Sequence, residues 1–148
     1  MIKLKKHGRI VFISSLAGRI PFAFLSPYCA SKAAIEIFVT CLRKEMKKLK
    51  YANIEVCAIE PGAYATGFNK ENNEKKYTWM EKDSYFINQL DSMKKKEKFI
   101  WDILEQKPYT SIIRQYVKAV EDKKAKSRYY APWWQVLFVQ LARILGID

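Results

Sequence analysis

Two short apolar stretches on either side of one long helical stretch constrain the fold of this chain more than any other feature. Residues 9–13 and 53–59 are dominated by apolar, often β-branched side chains, and turn-forming residues follow each of them, which predicts two buried strands. Residues 27–49 between them carry apolar side chains at helical spacing. A strand, a helix and a second strand joined by short connections predict an α/β fold, half of an open doubly wound parallel sheet.

The long helix is predicted to begin with Ser26 as its N-cap and Pro27 in its first turn. Its apolar positions form one stripe, which we expect to be buried. The members of this stripe are Ala30, Ala33, Ala34, Ile37, Phe38, Cys41 and Leu42. Ile35 and Val39 lie off the stripe, so a second covered face remains an alternative.

The rest of the chain has a less regular pattern. Residues 67–98 are polar and Lys-rich, and we interpret them as a mobile segment with one or two helices. A helix is predicted over about 109–122, a short strand over 129–131 and a very apolar helix over 133–145. Residues 123–128 form a basic linker.

Composition excludes several classes of site. The 148 residues contain one histidine, His7, which rules out a zinc site with several His ligands, and no metal site is predicted. Three cysteines without C-x-x-C spacing favour a reducing compartment, and no signal peptide is visible, so a cytoplasmic location is expected. The net charge of +12 is spread over helix ends and loops, so no nucleic-acid partner is expected.

Tyr28 and Lys32 carry the clearest chemistry, because residues four apart stack on one face of a helix. A Lys ammonium favours the phenolate form and lowers the pKa of a neighbouring Tyr, which makes Tyr28 a candidate general acid/base. Ser15 lies thirteen residues before Tyr28 at the end of the first strand. Its hydroxyl could hold a substrate oxygen near Tyr28.

Three stretches in this order resemble the short-chain dehydrogenase/reductase family. They are Gly-Arg-Ile-Val-Phe-Ile-Ser-Ser-Leu-Ala-Gly (8–18), Tyr-Cys-Ala-Ser-Lys (28–32) and Glu-Pro-Gly-Ala-Tyr-Ala-Thr (60–66). The residues of the last two stretches, together with Arg128-Tyr129, resemble the retinol and hydroxysteroid dehydrogenase branch of that family. The resemblance implies an oxidoreductase that interconverts an alcohol and a carbonyl with NAD or NADP.

The resemblance also implies roles for individual residues. Tyr28 would transfer the proton, Lys32 would support it and bind the nicotinamide ribose, and Ser15 rather than Ser14 would orient the substrate oxygen. The residues implied to bind the cofactor are Tyr28, Lys32, Pro61, Gly62, Tyr64 and Thr66. The substrate would be a small, lipophilic alcohol or carbonyl compound, and the full-length protein would be a homo-oligomer.

This chain matches only the later half of the family's domain, because no glycine-rich G-x-x-x-G-x-G turn precedes the first strand. We therefore expect the C-terminal part of a Rossmann-like doubly wound sheet whose N-terminal cofactor-binding half is missing. Residues 1–148 would be a partial domain, with 67–98 as its substrate-loop region and 129–148 as an apolar C-terminal extension. We expect this chain to be inactive alone. The alternative is a non-catalytic remnant or an interaction module.

The apolar residues 129–147 have two interpretations. The stretch is too short for a membrane span, but its paired tryptophans and the basic residues at 118–128 suit a membrane interface. Alternatively, it packs on its own domain or on a second subunit.

Overall fold

A parallel sheet of three strands organises the larger part of the chain, which the computed structural model describes over residues 7–49 and 53–146. The strands are β1 (Gly8–Ile13), β2 (Ile54–Pro61) and β3 (Arg128–Ala131), and β2 lies in the centre. Both neighbouring pairs are parallel. The predicted α/β class with a parallel sheet is therefore confirmed.

Five helices accompany the sheet: α1 (Ser26–Lys48), α2 (Phe68–Met80), α3 (Leu90–Leu104), α4 (Thr110–Glu121) and α5 (Trp133–Leu145). The predicted bounds of α5 are confirmed. Residues 67–98 are mainly helical, and α3 continues past their end, because its apolar residues lie at helical spacing among the lysines. The prediction that Ser26 is the N-cap of α1 was wrong, since Leu25 occupies that position and Ser26 is the first helical residue.

Helix α1 packs on one face of the sheet. The side of the helix that faces the sheet is not the apolar stripe that the sequence predicts to be buried. Val39 lies against Val56 and Ala58 of β2, which are all buried. The surrounding apolar side chains are Phe12, Ile35, Leu42, Met46 and Ile54. Ile37 and Phe38 are 67% and 54% exposed, so the expectation that they are buried was wrong. Apolar residues occur on two sides of α1, and the sheet covers the side that contains Val39.

The opposite face of the sheet is covered by α4, which contacts all three strands. Arg9 of β1 donates hydrogen bonds to the carbonyl oxygens of Ala119 and Val120 at the end of this helix. The basic linker after α4 is held by Arg43 of α1, whose Nη2 donates to the Ala125 carbonyl at 2.9 Å. Helices on both faces of a parallel sheet agree with the predicted doubly wound architecture.

Helix α5 packs on its own domain along one side. Val136, Val139 and Ala142 form a buried cluster with Leu16 and Ile20, which follow β1. The opposite side is exposed and almost entirely apolar. No helix within 7–49 and 53–146 is long and apolar enough to cross a bilayer.

The described residues form two compact units. The α/β unit contains the residues up to Gly62 and from Thr110 onward, and the helical unit is Ala63–Tyr109. The helical unit has a small core of Tyr77, Met80 and Leu90, with Met93 beside it. Lys76 of α2 forms an ion pair with Glu97 of α3.

Candidate active site

Two serines follow β1, and their hydroxyl groups have different tasks. Ser14 is buried; its Oγ donates to the Lys32 carbonyl at 3.2 Å, and its N–H donates to the Ile59 carbonyl at 2.8 Å. Ser15 has an extended backbone and caps the Leu16–Gly18 turn, where its Oγ accepts from the Ala17 N–H at 3.2 Å. Ser14 therefore ties β1 to its neighbours, while Ser15 stands at the carboxyl edge of the sheet.

Tyr28 and Lys32 meet on one side of the first turns of α1, as their spacing requires. The Lys32 Nζ lies 5.6 Å from the centroid of the Tyr28 ring, within the range of a cation–π contact. The same Nζ donates to the carbonyl of Ile13, the last residue of β1, at 3.2 Å. The ammonium group is thus held between the half-buried tyrosine and the strand end that leads into Ser15.

Gly18 allows the turn that Ser15 caps to lie directly on the backbone of α1. A Cβ at this position would be 2.8 Å from the carbonyl carbon of Lys32 and 3.1 Å from the Ala33 nitrogen. Real Cβ atoms do not approach backbone this closely, so only glycine fits. The sequence analysis missed this residue, because nothing in a scattered glycine shows which backbone it will touch.

The end of β2 brings Pro61 and Gly62 to the same edge of the sheet. The Ser15 Oγ donates to the Pro61 carbonyl at 3.4 Å. The Gly62 N–H donates to the Ala131 carbonyl at 2.8 Å, and a Cβ at Gly62 would collide with the Gln135 side chain. Ser15, Lys32 and Pro61 are therefore joined to Tyr28 by a short chain of contacts.

Tyr64 and Thr66 lie in the helical unit. Tyr64 is buried, pairs through its backbone with Gln106, and has its ring centroid 6.4 Å from that of Tyr109. The Thr66 N–H donates to the Tyr64 carbonyl at 2.7 Å, and its Oγ1 accepts from the Phe68 N–H at 3.4 Å. These two residues form a turn that ends at the start of α2.

Sequence reasoning also missed a buried carboxylate directly before Pro61. Glu60 has no exposed surface, and Arg19 Nη2 donates to its Oε1 at 2.8 Å. Burial raises the pKa of Glu60 to about 7, Arg19 opposes this shift, and the nearby carboxylate of Glu36 adds to it. The available signal was a glutamate directly after the apolar run 56–59, because a buried residue of this kind requires a partner.

Comparison with known proteins shows the family of the chain. A family profile described as short chain dehydrogenase matches residues 1–77. The chain belongs to the short chain dehydrogenase family. The probable short-chain type dehydrogenase/reductase VdlC of Helicobacter pylori (strain J99) is 40% identical over 79 residues. Mouse estradiol 17-beta-dehydrogenase 2 is 28% identical over an alignment 148 residues long, gaps included, that covers 93% of this chain.

The alignments cover limited shares of these proteins. The Helicobacter alignment spans 51% of this chain and 28% of its relative, and the mouse alignment spans 38% of its relative. A short chain dehydrogenase/reductase from Burkholderia phymatum, solved in complex with NAD, matches all of this chain and 52% of its own with a TM-score of 0.70. Because the identity of that pair is 15%, the likeness shows the fold alone.

Proposed function

We propose that this chain forms the active-site half of an oxidoreductase that interconverts an alcohol and a carbonyl with NAD or NADP. The observation that carries the proposal is the position of the Lys32 ammonium between the Tyr28 ring and the Ile13 carbonyl, two residues before Ser15. A phenol, an ammonium and a hydroxyl around one edge of a parallel sheet suit proton transfer to and from a substrate oxygen.

Each side chain has a distinct role in this scheme. The Tyr28 phenol gives a proton to the carbonyl oxygen in reduction and takes it from the alcohol in oxidation. The positive charge of Lys32 stabilises the phenolate that forms when the proton leaves. The Ser15 hydroxyl donates a hydrogen bond to the substrate oxygen and fixes its direction.

The residues present fit the nicotinamide end of a dinucleotide. An ammonium has three N–H donors, and Lys32 uses one on Ile13, which leaves two for ribose hydroxyl groups. We assign the neighbouring backbone at Pro61–Gly62, with Tyr64 and Thr66, to the same end of the cofactor. The bound cofactor supplies or accepts the hydride.

The substrate that we favour is a small lipophilic alcohol or its carbonyl counterpart, of the retinoid or steroid kind. The likeness to an estradiol dehydrogenase extends over 93% of this chain and supports this class. We propose that residues 1–148 are a partial domain in which 67–98 contribute to the substrate loop and 129–148 form an extension. The exposed Ile37 and Phe38 of α1 favour a homo-oligomer of the full-length protein.

The first test of this function is to sequence the DNA upstream of the Met1 codon. An in-frame strand, glycine-rich turn and helix would justify assaying the longer product with NAD or NADP and estradiol or retinol. We expect Tyr28→Phe to lower kcat by at least about a hundredfold, while Tyr116→Phe, at an exposed tyrosine of α4 outside the proposed site, leaves it unchanged. The 148-residue chain alone should show no turnover. Full activity in Tyr28→Phe would refute the assigned role.

The alternative is a non-catalytic remnant or interaction module. Within the described sheet β1 pairs only with β2, so its other edge is available to a partner. A stop codon or frameshift directly upstream of Met1 would favour this alternative and contradict the enzyme assignment.

We also propose that α5 attaches the protein peripherally to an anionic membrane surface on the cytoplasmic side. Its outward side exposes Trp133, Phe138, Leu141 and Ile144. A positive net charge of +12 complements anionic headgroups. Phe138→Ser should release the protein from phosphatidylserine vesicles, whereas Phe99→Ser, at an equally exposed residue of α3, should not. Equal binding by both variants would contradict the proposal.

A further inference from the structure

A cluster of four charged side chains surrounds the carboxyl end of β2. Its members are Arg19, Glu36, Glu60 and Arg128. Glu60 and Glu36 are both buried, and Arg128 bridges them: its Nε lies 2.8 Å from Glu60 Oε1 and donates to Glu36 Oε2 at 2.9 Å. Arg19 approaches Glu60 from the other side, with its Nε 2.7 Å from Oε2. The two carboxylates and two guanidinium groups balance in charge.

The members of this cluster come from the segments that carry the candidate active-site residues. Arg19 directly follows the turn that Ser15 caps. Glu60 immediately precedes Pro61, and Glu36 lies one helical turn after Lys32. Arg128 opens β3, whose last residue, Ala131, accepts the hydrogen bond from the Gly62 N–H. One cluster therefore connects the Ser15 turn, the first part of α1 and the Pro61–Gly62 segment.

A gain in stability is a poor explanation for this arrangement. Removing charges from water is costly, and apolar side chains of similar volume often stabilise a fold at least as well as a buried ion pair. Among the described residues, Glu36 Oε1 and Glu60 Oε2 have no hydrogen-bond partner, although Arg19 Nε lies 2.7 Å from the latter, so part of that cost is not offset. A planar guanidinium on a buried carboxylate does, however, fix distance and direction between two segments.

We propose that Glu60, held between Arg19 and Arg128, is a positioning residue that locks the Ser15 turn to the Pro61–Gly62 segment. The link to catalysis rests on the proposed function, but the lock itself is a property of the described residues. The backbone bond from the Ser14 N–H to the Ile59 carbonyl lies just before both segments. Beyond it, the Ser15–Pro61 hydrogen bond is long at 3.4 Å and holds them weakly. The Arg19–Glu60 contact, which spans the same two segments, is 2.8 Å long and charge-assisted.

Amide hydrogen exchange of the full chain tests the lock without an activity assay. In Glu60→Gln we expect exchange of the Gly18 and Gly62 amides to accelerate by about tenfold or more, while the Val56 and Ala58 amides inside β2 keep their rates. Glu97→Gln, which alters another partly buried ion pair, should leave all four rates unchanged. Equal acceleration of all four amides in Glu60→Gln, or of none, would overturn the proposal.

Arg19→Lys provides a second variant if Glu60→Gln does not fold. Lysine keeps the charge but not the planar guanidinium that donates to Glu60 Oε1, so exchange of the Gly18 and Gly62 amides should accelerate. Glu60→Asp keeps a carboxylate and should accelerate these amides less than Glu60→Gln does. In the longer gene product, Glu60→Gln should lower kcat more than it changes KM. If the longer wild-type protein shows no turnover, the proposed function is refuted but the lock is not. If Glu60→Gln and Arg19→Lys both keep the wild-type amide exchange rates and kcat, the lock alone is refuted.

Discussion

The central strand carries one glutamate near each end, and each is paired with arginine. Glu55 lies beside Arg9, its partner in the β1–β2 register, while Glu60 lies between Arg19 and Arg128. The pair at the first end connects β1 and β2 to the end of α4. The pair at the other end adjoins Ser15 and the Pro61–Gly62 segment.

The two carboxylates nevertheless differ in their pKa values. Burial would raise the pKa of Glu55, but hydrogen bonds from Arg9, the Ala125 N–H and His7 hold it below its usual value. Burial raises the pKa of Glu60 to about 7, since Arg19 offsets only part of the cost and Glu36 adds a second negative charge. Glu55 is therefore stabilised in its charged form. Glu60 is not, although two arginines face the two carboxylates, and such perturbed pKa values are common at functional sites.

The largest loss of stability is expected when the ion pair between Arg9 and Glu55 is broken. Arg9→Met would remove the guanidinium from Glu55, leaving this carboxylate only the Ala125 N–H and His7 as partners. It would also free three carbonyl oxygens at the end of α4. We expect a loss of about 3–5 kcal/mol in the free energy of unfolding, measured by urea titration. Arg114→Met, at an exposed arginine of α4, should change it by less than about 0.5 kcal/mol. Equal losses in both variants would show that the Arg9–Glu55 pair is unimportant.

The next effect is a pH dependence set by Glu60. Its pKa is raised from 4.5 to about 7 in the folded state, so the unfolded chain loses its proton first as pH rises. The free energy of unfolding should therefore fall by about 3 kcal/mol between pH 4.5 and 7, and Glu60→Gln should remove this slope.

Glu55 has the opposite sign and provides the control. Because its folded-state pKa is lowered, its contribution is present above pH 4.5 and is lost as pH falls through the folded value. Glu55→Gln should lower the free energy of unfolding at neutral pH and flatten its fall on the acid side, while the slope between pH 4.5 and 7 stays unchanged. A flat wild-type profile between pH 4.5 and 7 would contradict the description of Glu60.

A smaller effect is expected from filling the space at Gly18. Gly18→Ala should cost about 1–3 kcal/mol, because the new Cβ would push the Ser15 turn away from the backbone of Lys32. Gly67 is a useful contrast, since it has open space around it but a φ of +88°. Gly67→Ala should cost about 1–2 kcal/mol through backbone strain, and Gly67→Asn less. Thermal unfolding of the three variants checks the order, and a neutral Gly18→Ala would contradict the close approach.

The sequence predicted the elements of the α/β unit well, because local patterns determine them. Apolar runs revealed β1 and β2, and four-residue spacing placed Tyr28 beside Lys32. The apolar stripe with Ile37 and Phe38 was wrongly expected to be buried, whereas the second side with Ile35 and Val39, which was left open, is covered by the sheet. Apolar side chains occur on both sides, and only the position of the sheet decides between them. The Tyr28, Lys32 and Ser15 roles themselves remain predictions.

The charged cluster could not be predicted for a related reason. Glu60 binds Arg19, 41 residues away, and Glu36 binds Arg128, 92 residues away. No local period relates these positions. A glutamate at the buried end of a strand indicates that a partner exists, but the fold alone identifies it.

The smallest change in stability is expected at Thr40, which lies at the edge of the charged cluster. Thr40 Oγ1 accepts from Arg128 Nη2 at 3.3 Å and donates to the Glu36 carbonyl in its own helix at 2.8 Å. Thr78 makes the same bond within its helix, to Glu74, without an arginine. Thr40→Val should therefore cost only about 0.5–1 kcal/mol more than Thr78→Val in urea unfolding, because Arg128 is partly exposed and water can replace the lost acceptor. A difference above about 2 kcal/mol would show that the threonine, rather than the two carboxylates, holds Arg128 in place.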